Sequence, residues 1–149
     1  MRALEPAGIV ILVTGAGGAL KEVLTSSGVG DVLSAALGQT QLPSLLLAFI
    51  IAAAVRVMQG SATVAMLTTA GLVAALFGEL ELSQAALALH VIAIAAGATI
   101  ASHVNDSGFW LVNRYLGLSV PDTFKTWTAL TTIAALVAIV LVLVAGTLV

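Results

Sequence analysis

The sequence contains no cysteine and very little charge: charged residues occupy 8% of its 149 positions. Without cysteine, the chain can form neither disulfides nor thiolate metal sites. A soluble domain carries roughly 25% charged residues, so a soluble fold of this size could not cover the apolar surface of this chain. The five basic residues are scattered, so the basic patch that is typical of a nucleic-acid-binding protein is missing.

The chain is instead rich in apolar residues. Hydrophobic residues make up 60% of the chain, and the mean hydropathy is +1.18. Long apolar runs of this kind are typical of helices in a lipid bilayer. We therefore predict an all-α, multi-pass integral membrane protein.

The chain divides into four apolar stretches within one membrane domain, residues 1–149. They are a glycine-rich helix with a following short helix (about 7–38), two long stretches (44–77 and 84–116) and an uninterrupted terminal spanning helix (122–149). We expect Ser83 to cap the third stretch, and Pro121, with Asp122 and Thr123, to give the fourth a conventional helix start.

The stretch at 44–77 is too long for one ordinary span. Thirty-four residues would extend about 51 Å as a single helix, against a hydrocarbon core of about 30 Å. Its centre, "RVMQGSATVA", contains Gly60 and polar side chains. We predict a re-entrant helical hairpin with its tip inside the protein. Two ordinary spans joined by a tight turn outside the membrane are the alternative.

The stretch at 84–116 follows the same plan, with "SHVNDSG" at its centre. Unwinding a helix inside a membrane frees backbone groups that each cost a few kcal/mol unless they are paired. Such breaks are tolerated beside a ligand, an ion or water, and paired broken helices mark the substrate sites of transporters. We predict a broken transmembrane helix here, with a solvated loop between two spans as the alternative.

Three segments resemble the gluconate:proton symporter family (gluconate permeases) of the ion transporter superfamily. They are "GAGGALKEVLTSSGVGD", "AAAVRVMQGSATVAMLTTAG" and "ATIASHVNDSGFWLV". Members of that family are roughly three times longer than this chain, and they take up gluconate and related hydroxy acids. In this superfamily, each of two inverted repeats carries a re-entrant hairpin and a broken helix. The resemblance implies that this chain corresponds to one such repeat, the C-terminal one.

The two breaks supply the candidate site residues. Arg56 is a candidate partner for a substrate carboxylate, which a guanidinium binds in bidentate fashion; a snorkelling arginine near a helix end is the alternative. Asp106 and His103 are the candidates for the coupled proton, since intramembrane ionisable groups are functional candidates by default. The full set of substrate-binding candidates is Arg56, Gln59, Gly60, Ser61, Thr63, Ser102, Asn105 and Ser107.

The sequence favours no enzyme and no cofactor. It has no phosphate-binding loop, no nucleophile–base pair, and only two histidines, at a spacing that gives no support for zinc. We expect proton-coupled uptake of a small hydroxy carboxylate such as gluconate across the cell inner (plasma) membrane. The alternative is a non-transporting membrane fragment, or a structural or channel-like protein that retains the fold.

The exposed polar tip of a single repeat would need a cover. We expect a homodimer in the lipid bilayer, in which the second copy replaces an inverted repeat. The two copies would then lie antiparallel. Parallel packing through the glycine-rich first helix is the competing arrangement.

Overall fold

The computed structural model describes residues 43–77 and 82–148, together with residues 19, 23, 26 and 27. Apart from those four positions, the glycine-rich helix and the short helix expected at 7–38 lie outside the described residues. So does most of the loop that follows residue 77.

All regular secondary structure in the described ranges is helical. The helices are α1 (Ser44–Gln59), α2 (Ala62–Phe77), α3 (Gln84–Thr99), α4 (Ser107–Tyr115), α5 (Val120–Thr123) and α6 (Ala129–Gly146), with a π-helical turn at Phe124–Thr128. Helix α5, the π-helical turn and α6 run on without interruption, and Val120–Gly146 is called the terminal helix below. These elements agree with the predicted all-α membrane class.

Among the described residues, the terminal helix alone is long and apolar enough to cross a membrane. It has 27 residues, and its most apolar window of 18 residues has a mean hydropathy of 2.7. The whole helix extends about 40 Å at 1.5 Å per residue. Helices α1, α2 and α3 have 16 residues each, or about 24 Å, which is less than the hydrocarbon core of about 30 Å.

Helix α3 is the central element, packing against α1, α2 and α6. The core is built mainly from small and β-branched residues: Ala48, Phe49, Ala52, Val73, Ala93, Ile94, Ala96, Ala135, Ile139 and Val142. Small residues let helix backbones approach closely, as is common between membrane helices. The closest approach is at Gly97, where an added Cβ would lie 2.3 Å from the carbonyl oxygen of Phe49.

The outer faces of α3 and the terminal helix expose large apolar side chains. Val91 is 66% exposed, and Ile133, Val140 and Leu141 are each more than half exposed. Aliphatic surface of this extent is unfavourable in water and suits contact with lipid tails.

The helix starts follow the capping signals in the sequence. Ser83 caps α3 by accepting a hydrogen bond from the backbone N–H of Ala86 at 3.1 Å, as predicted. Ser119 caps α5, and Pro121 lies in its first turn. His90, to which the sequence assigned no role, is buried: its Nε2 lies 3.0 Å from Ser44 Oγ and ties α3 to the start of α1.

The terminal helix differs from the plain helix expected at 122–149. It contains the π-helical turn at Phe124–Thr128, where the N–H of Ala129 reaches back five residues to the carbonyl of Phe124. The helix expected at 122–149 is continuous over Val120–Gly146, and this turn is a local departure from α-helical geometry within it. Such turns insert one extra residue into a helix and are frequent at functional sites.

Candidate functional site

The first break in the helices lies between α1 and α2. Gly60 follows the end of α1 with a positive φ of 78°, and its N–H donates to the carbonyl of Arg56 at 2.8 Å. This left-handed conformation is the usual one for a glycine that ends a helix. Ser61 follows, and its Oγ accepts the N–H of Val64 at 3.3 Å, at the start of α2.

The second break separates α3 from α4. Ile100 is extended, and Ala101 has a φ of 50°, which is uncommon for a residue other than glycine. The chain becomes helical again at Ser107, where Asp106 caps α4: its Oδ1 accepts the N–H of Gly108 at 2.9 Å.

The two breaks touch each other. Asn105 Nδ2 donates to the carbonyl of Val57 at 3.0 Å. A Cβ on Gly60 would lie 2.2 Å from the backbone oxygen of Asn105, so only a glycine lets the two segments pack this closely. The contact brings the polar centres of the two long stretches into one place.

A buried ion pair joins the two breaks. Arg56 is 3% exposed, and its Nη2 donates to Oδ2 of Asp106. Its Nη1 donates to the carbonyl of Gly60, and its Nε has no hydrogen-bond partner among the described residues. The other charged residues in these ranges, Arg114, Asp122 and Lys125, are exposed.

Ser102 connects this pair to the terminal helix. Its Oγ donates to Asp106 Oδ2 and accepts the indole N–H of Trp127 at 2.8 Å. Its backbone carbonyl accepts the hydroxyl of Thr128, and its N–H donates to Thr131 Oγ1 at 3.4 Å. The terminal helix therefore holds both the side chain and the backbone of Ser102.

These groups surround a cavity of about 310 Å³. This volume is at the lower end of the range for small-molecule sites, roughly 300–1,000 Å³. The wall combines a guanidinium and a carboxylate with several hydroxyls and a few apolar groups. It is formed by Arg56, Ser61, Ala62, Thr63, Thr99, Ser102, Asp106, Ser107, Gly108, Leu111, Trp127 and Thr131.

The cavity collects most, but not all, of the residues predicted from the sequence. Arg56, Ser61, Thr63, Ser102, Ser107 and Asp106 lie in its wall. The other four predicted residues lie beside the cavity wall. The side chain of Gln59 is exposed, Gly60 presents its carbonyl to Arg56, Asn105 binds Val57, and the Nδ1 of the half-buried His103 lies 2.7 Å from the carbonyl of Ala101.

The sequence interpretation missed the contribution of the terminal helix. Trp127 and Thr131 lie in the cavity wall, although no residue of this helix was among the predicted site residues. Thr132 bonds back to the carbonyl of Thr128 at 2.7 Å, whereas Thr128 bonds to Ser102 instead. The available signal was a tryptophan among threonines near the start of an aliphatic helix.

The cavity has the chemistry of a site for a small polar molecule. It offers a guanidinium paired with a carboxylate, and a set of hydroxyls that both donate and accept hydrogen bonds. The described ranges contain no group of three or more histidine or acidic side chains that could hold a metal ion. Short apolar helices that end at a shared polar cavity are typical of membrane transporters and point to that class of protein.

The chain belongs to the GntP family of permeases, whose family description matches residues 1–149. This match confirms the resemblance noted in the sequence. The family consists of permeases rather than enzymes, which agrees with the expectation that the chain is not an enzyme.

Individual relatives support the same assignment. The chain is 48% identical over 143 residues to the low-affinity gluconate transporter of Escherichia coli K12, covering 96% of this chain and 32% of that protein. It is 49% identical over 131 residues to the gluconate permease of Bacillus subtilis 168, covering 88% and 29%. It is 42% identical over 135 residues to the Gnt-II system L-idonate transporter of E. coli K12, covering 91% and 30%.

The chain spans about a third of the length of these curated relatives. No solved structure matches it at a significant level. Family and composition together place the chain in a membrane.

Proposed function

We propose that this chain is one repeat of a proton-coupled transporter that takes up a small hydroxy carboxylate, such as gluconate, across the inner membrane. The observation that carries the proposal is the polar cavity at the meeting point of two helix breaks, with Arg56 buried in its wall. The names of the relatives support the substrate class, since they include gluconate and L-idonate transporters.

The helix lengths support a membrane arrangement for this proposal. Helices α1, α2 and α3 are each too short to cross the hydrocarbon core. On this proposal, α1 and α2 form a re-entrant hairpin with Gly60 and Ser61 at its tip. Helices α3 and α4 form a transmembrane helix broken at 100–106. The backbone groups that are free at these breaks then face the cavity rather than lipid.

Charge balance gives a mechanism for proton coupling. Arg56 and Asp106 are neutral as a pair, so the cavity has no net charge with which to attract a carboxylate. If Asp106 takes up a proton, Arg56 is left with one uncompensated positive charge, which a substrate carboxylate then neutralises. Proton and substrate would therefore bind together, because the carboxylate of Asp106 competes with that of the substrate for the same guanidinium.

The proposed roles divide among the residues already named. Arg56 binds the substrate carboxylate, while Ser61, Thr63, Ser102 and Ser107 bind its hydroxyls. Asp106 carries the proton. His103 is a second proton candidate, although its imidazole is not part of the cavity wall. Gln59, Gly60 and Asn105 would shape the two breaks and complete the site at its edge.

A second repeat would complete the site. Gln59, Thr63, Asn105 and Ser107 are exposed at the breaks, and such groups are costly to place against lipid. On this proposal, an inverted repeat covers them, supplied by a second copy of this chain or by a longer chain of which this sequence is part.

Ligand-induced stabilisation of the purified chain tests the function. Gluconate, lactate and the uncharged polyol sorbitol are compared by thermal shift at pH 5.5 and pH 8. A ligand at one hundred times its Kd stabilises by about 2.7 kcal/mol. We expect gluconate to raise the Tm more at pH 5.5, and sorbitol to leave it unchanged. Equal shifts with gluconate and sorbitol, or no shift with either acid, would contradict the proposal.

A further inference from the structure

The terminal helix provides a donor whose direction is fixed. The indole N–H of Trp127 can only donate a hydrogen bond, and it donates to Ser102 Oγ at 2.8 Å. The single hydroxyl hydrogen of Ser102 is then free to donate onward, and it does so to Oδ2 of Asp106. The three groups form a chain of donors that runs from the terminal helix to the buried carboxylate.

We propose that Trp127 is a positioning residue of the transport site, which acts through Ser102 by holding the serine hydroxyl in its donating orientation toward Asp106. The proposal rests on the proposed function, in which Asp106 and the substrate compete for Arg56. It assigns the terminal helix a part in proton coupling, beyond its part in the cavity wall.

The surroundings of Ser102 support a specific role for the indole. Ser102 is 2% exposed, and its backbone is already held by Thr128 and Thr131. The bond from Trp127 is therefore not needed to keep the backbone in place; what it adds is control of the hydroxyl. A serine hydroxyl has three staggered positions, and a donated hydrogen bond selects those that leave the lone pair facing the indole.

Among the residues that the structure describes, few charged or titratable groups face Asp106. Arg56 on α1 pairs with it, and its own segment contributes His103, which binds the carbonyl of Ala101 instead. The side chains that α2 and the terminal helix contribute to the cavity wall are not titratable: Ala62, Thr63, Trp127 and Thr131. A change in the pH dependence of binding in a Trp127 variant is then expected to come through Ser102.

The variant Trp127→Phe keeps an aromatic ring and removes the N–H. Without the indole, the Ser102 hydroxyl is free to turn away from Asp106, and its stabilisation of the carboxylate form falls by at most about threefold, the limit of three equally populated positions. We expect the pH at which gluconate binding is half-maximal to rise, by up to roughly 0.5 unit. Ser102→Ala should raise it further, because the donated bond is then lost entirely.

A double-mutant cycle separates action through Ser102 from a general structural effect. In the Ser102→Ala background, Trp127→Phe should cause no further rise in this pH, because the hydroxyl that it acts through is gone. Trp110→Phe is the matched control: Trp110 is exposed, bonds to the carbonyl of Val104 and is not part of the cavity wall. It should leave the pH profile unchanged.

Fluorescence provides a readout that needs no ligand. The chain has two tryptophans, so in the Trp110→Phe variant all tryptophan emission comes from Trp127. Adding Ser102→Ala should shift its emission maximum to shorter wavelength, since the indole loses a polar partner.

The outcomes distinguish the two proposals. If the wild-type chain binds gluconate and Trp127→Phe has an unchanged pH profile, the role of Trp127 is overturned and the proposed function stands. The same holds if the emission of Trp127 does not respond to Ser102→Ala. If the wild-type chain does not bind gluconate at any pH, both proposals fail.

Discussion

Arg56 and Asp106 are fifty residues apart in the sequence, and they carry the two buried charges of the described ranges. A buried ion pair contributes little net stability, because the cost of removing both charges from solvent offsets their attraction, whereas removal of one partner costs about 3–5 kcal/mol. This small net contribution to stability supports the proposed role of the pair in the transport site.

The Arg56→Lys variant tests the guanidinium. The guanidinium bonds to Gly60 and Asp106 at once, whereas lysine offers a single ammonium with no planar fork. We expect gluconate binding to weaken by about 1–3 kcal/mol, measured by titration calorimetry at pH 5.5. Arg114→Lys, at an exposed position, is the control and should bind as the wild type does. An unchanged affinity in Arg56→Lys would remove Arg56 from the substrate site.

The Asp106→Asn variant tests proton coupling. Asparagine can still cap α4, but it cannot take up a proton. We expect gluconate affinity to become independent of pH in this variant. In proteoliposomes that contain the complete transporter, gluconate exchange should persist while proton-driven accumulation fails. Asp122→Asn, at an exposed position, is the control. Normal accumulation in Asp106→Asn would move the proton to another group, with His103 as the first to test.

At the scale of secondary-structure elements, the junction between α1 and α2 depends on two properties of Gly60. Its φ of 78° favours glycine, and the backbone of Asn105 occupies the space that a Cβ would need. Gly117, in the turn after α4, shares the first property with a φ of 62°, but it has open space where a Cβ would lie. The two glycines therefore form a matched pair.

Alanine at each position separates strain from steric conflict. Gly117→Ala should cost only the left-handed backbone strain, about 1–2 kcal/mol. Gly60→Ala should cost that amount plus the displacement of the Asn105 segment from the hairpin tip. We expect a clearly larger fall in Tm for Gly60→Ala, together with loss of gluconate binding. Equal falls in Tm for the two variants would mean that the two breaks do not need their close contact.

At the scale of the whole molecule, the site is open at the two breaks, and we have proposed that an inverted repeat covers it. Single cysteines can be introduced safely because the chain has none of its own. A cysteine in place of Thr63 or Ser107 lies at an exposed cavity edge. One in place of Tyr115, which is 83% exposed and outside the cavity wall, is the control.

If two copies of the chain cover each other's breaks, cross-linking in a bilayer should be efficient from the cavity edge and weak from residue 115. A tag fused to the chain should then be accessible to labelling from both sides of the membrane, because the two copies are antiparallel. Tags confined to one side would contradict the antiparallel dimer and would favour parallel packing.

The sequence by itself determined the class of the protein and the place of its unusual segments. Its shortage of charge and its long apolar runs could be satisfied only in lipid. The polar centres at Gly60 and at 102–107 stood out because polar groups are costly among apolar neighbours. Ser83 was recognisable as a cap because capping depends on residues close together in the chain.

Only the tertiary structure decided which polar residues share a cavity. Arg56 was predicted to bind a substrate and Asp106 to carry a proton, but their pairing depends on how α1 packs against the second break. Trp127 joined the site because the terminal helix packs against Ser102, and a π-helical turn leaves no signature in hydrophobic periodicity. Contacts between residues 25 to 50 positions apart are set by helix packing, which local patterns of sequence do not encode.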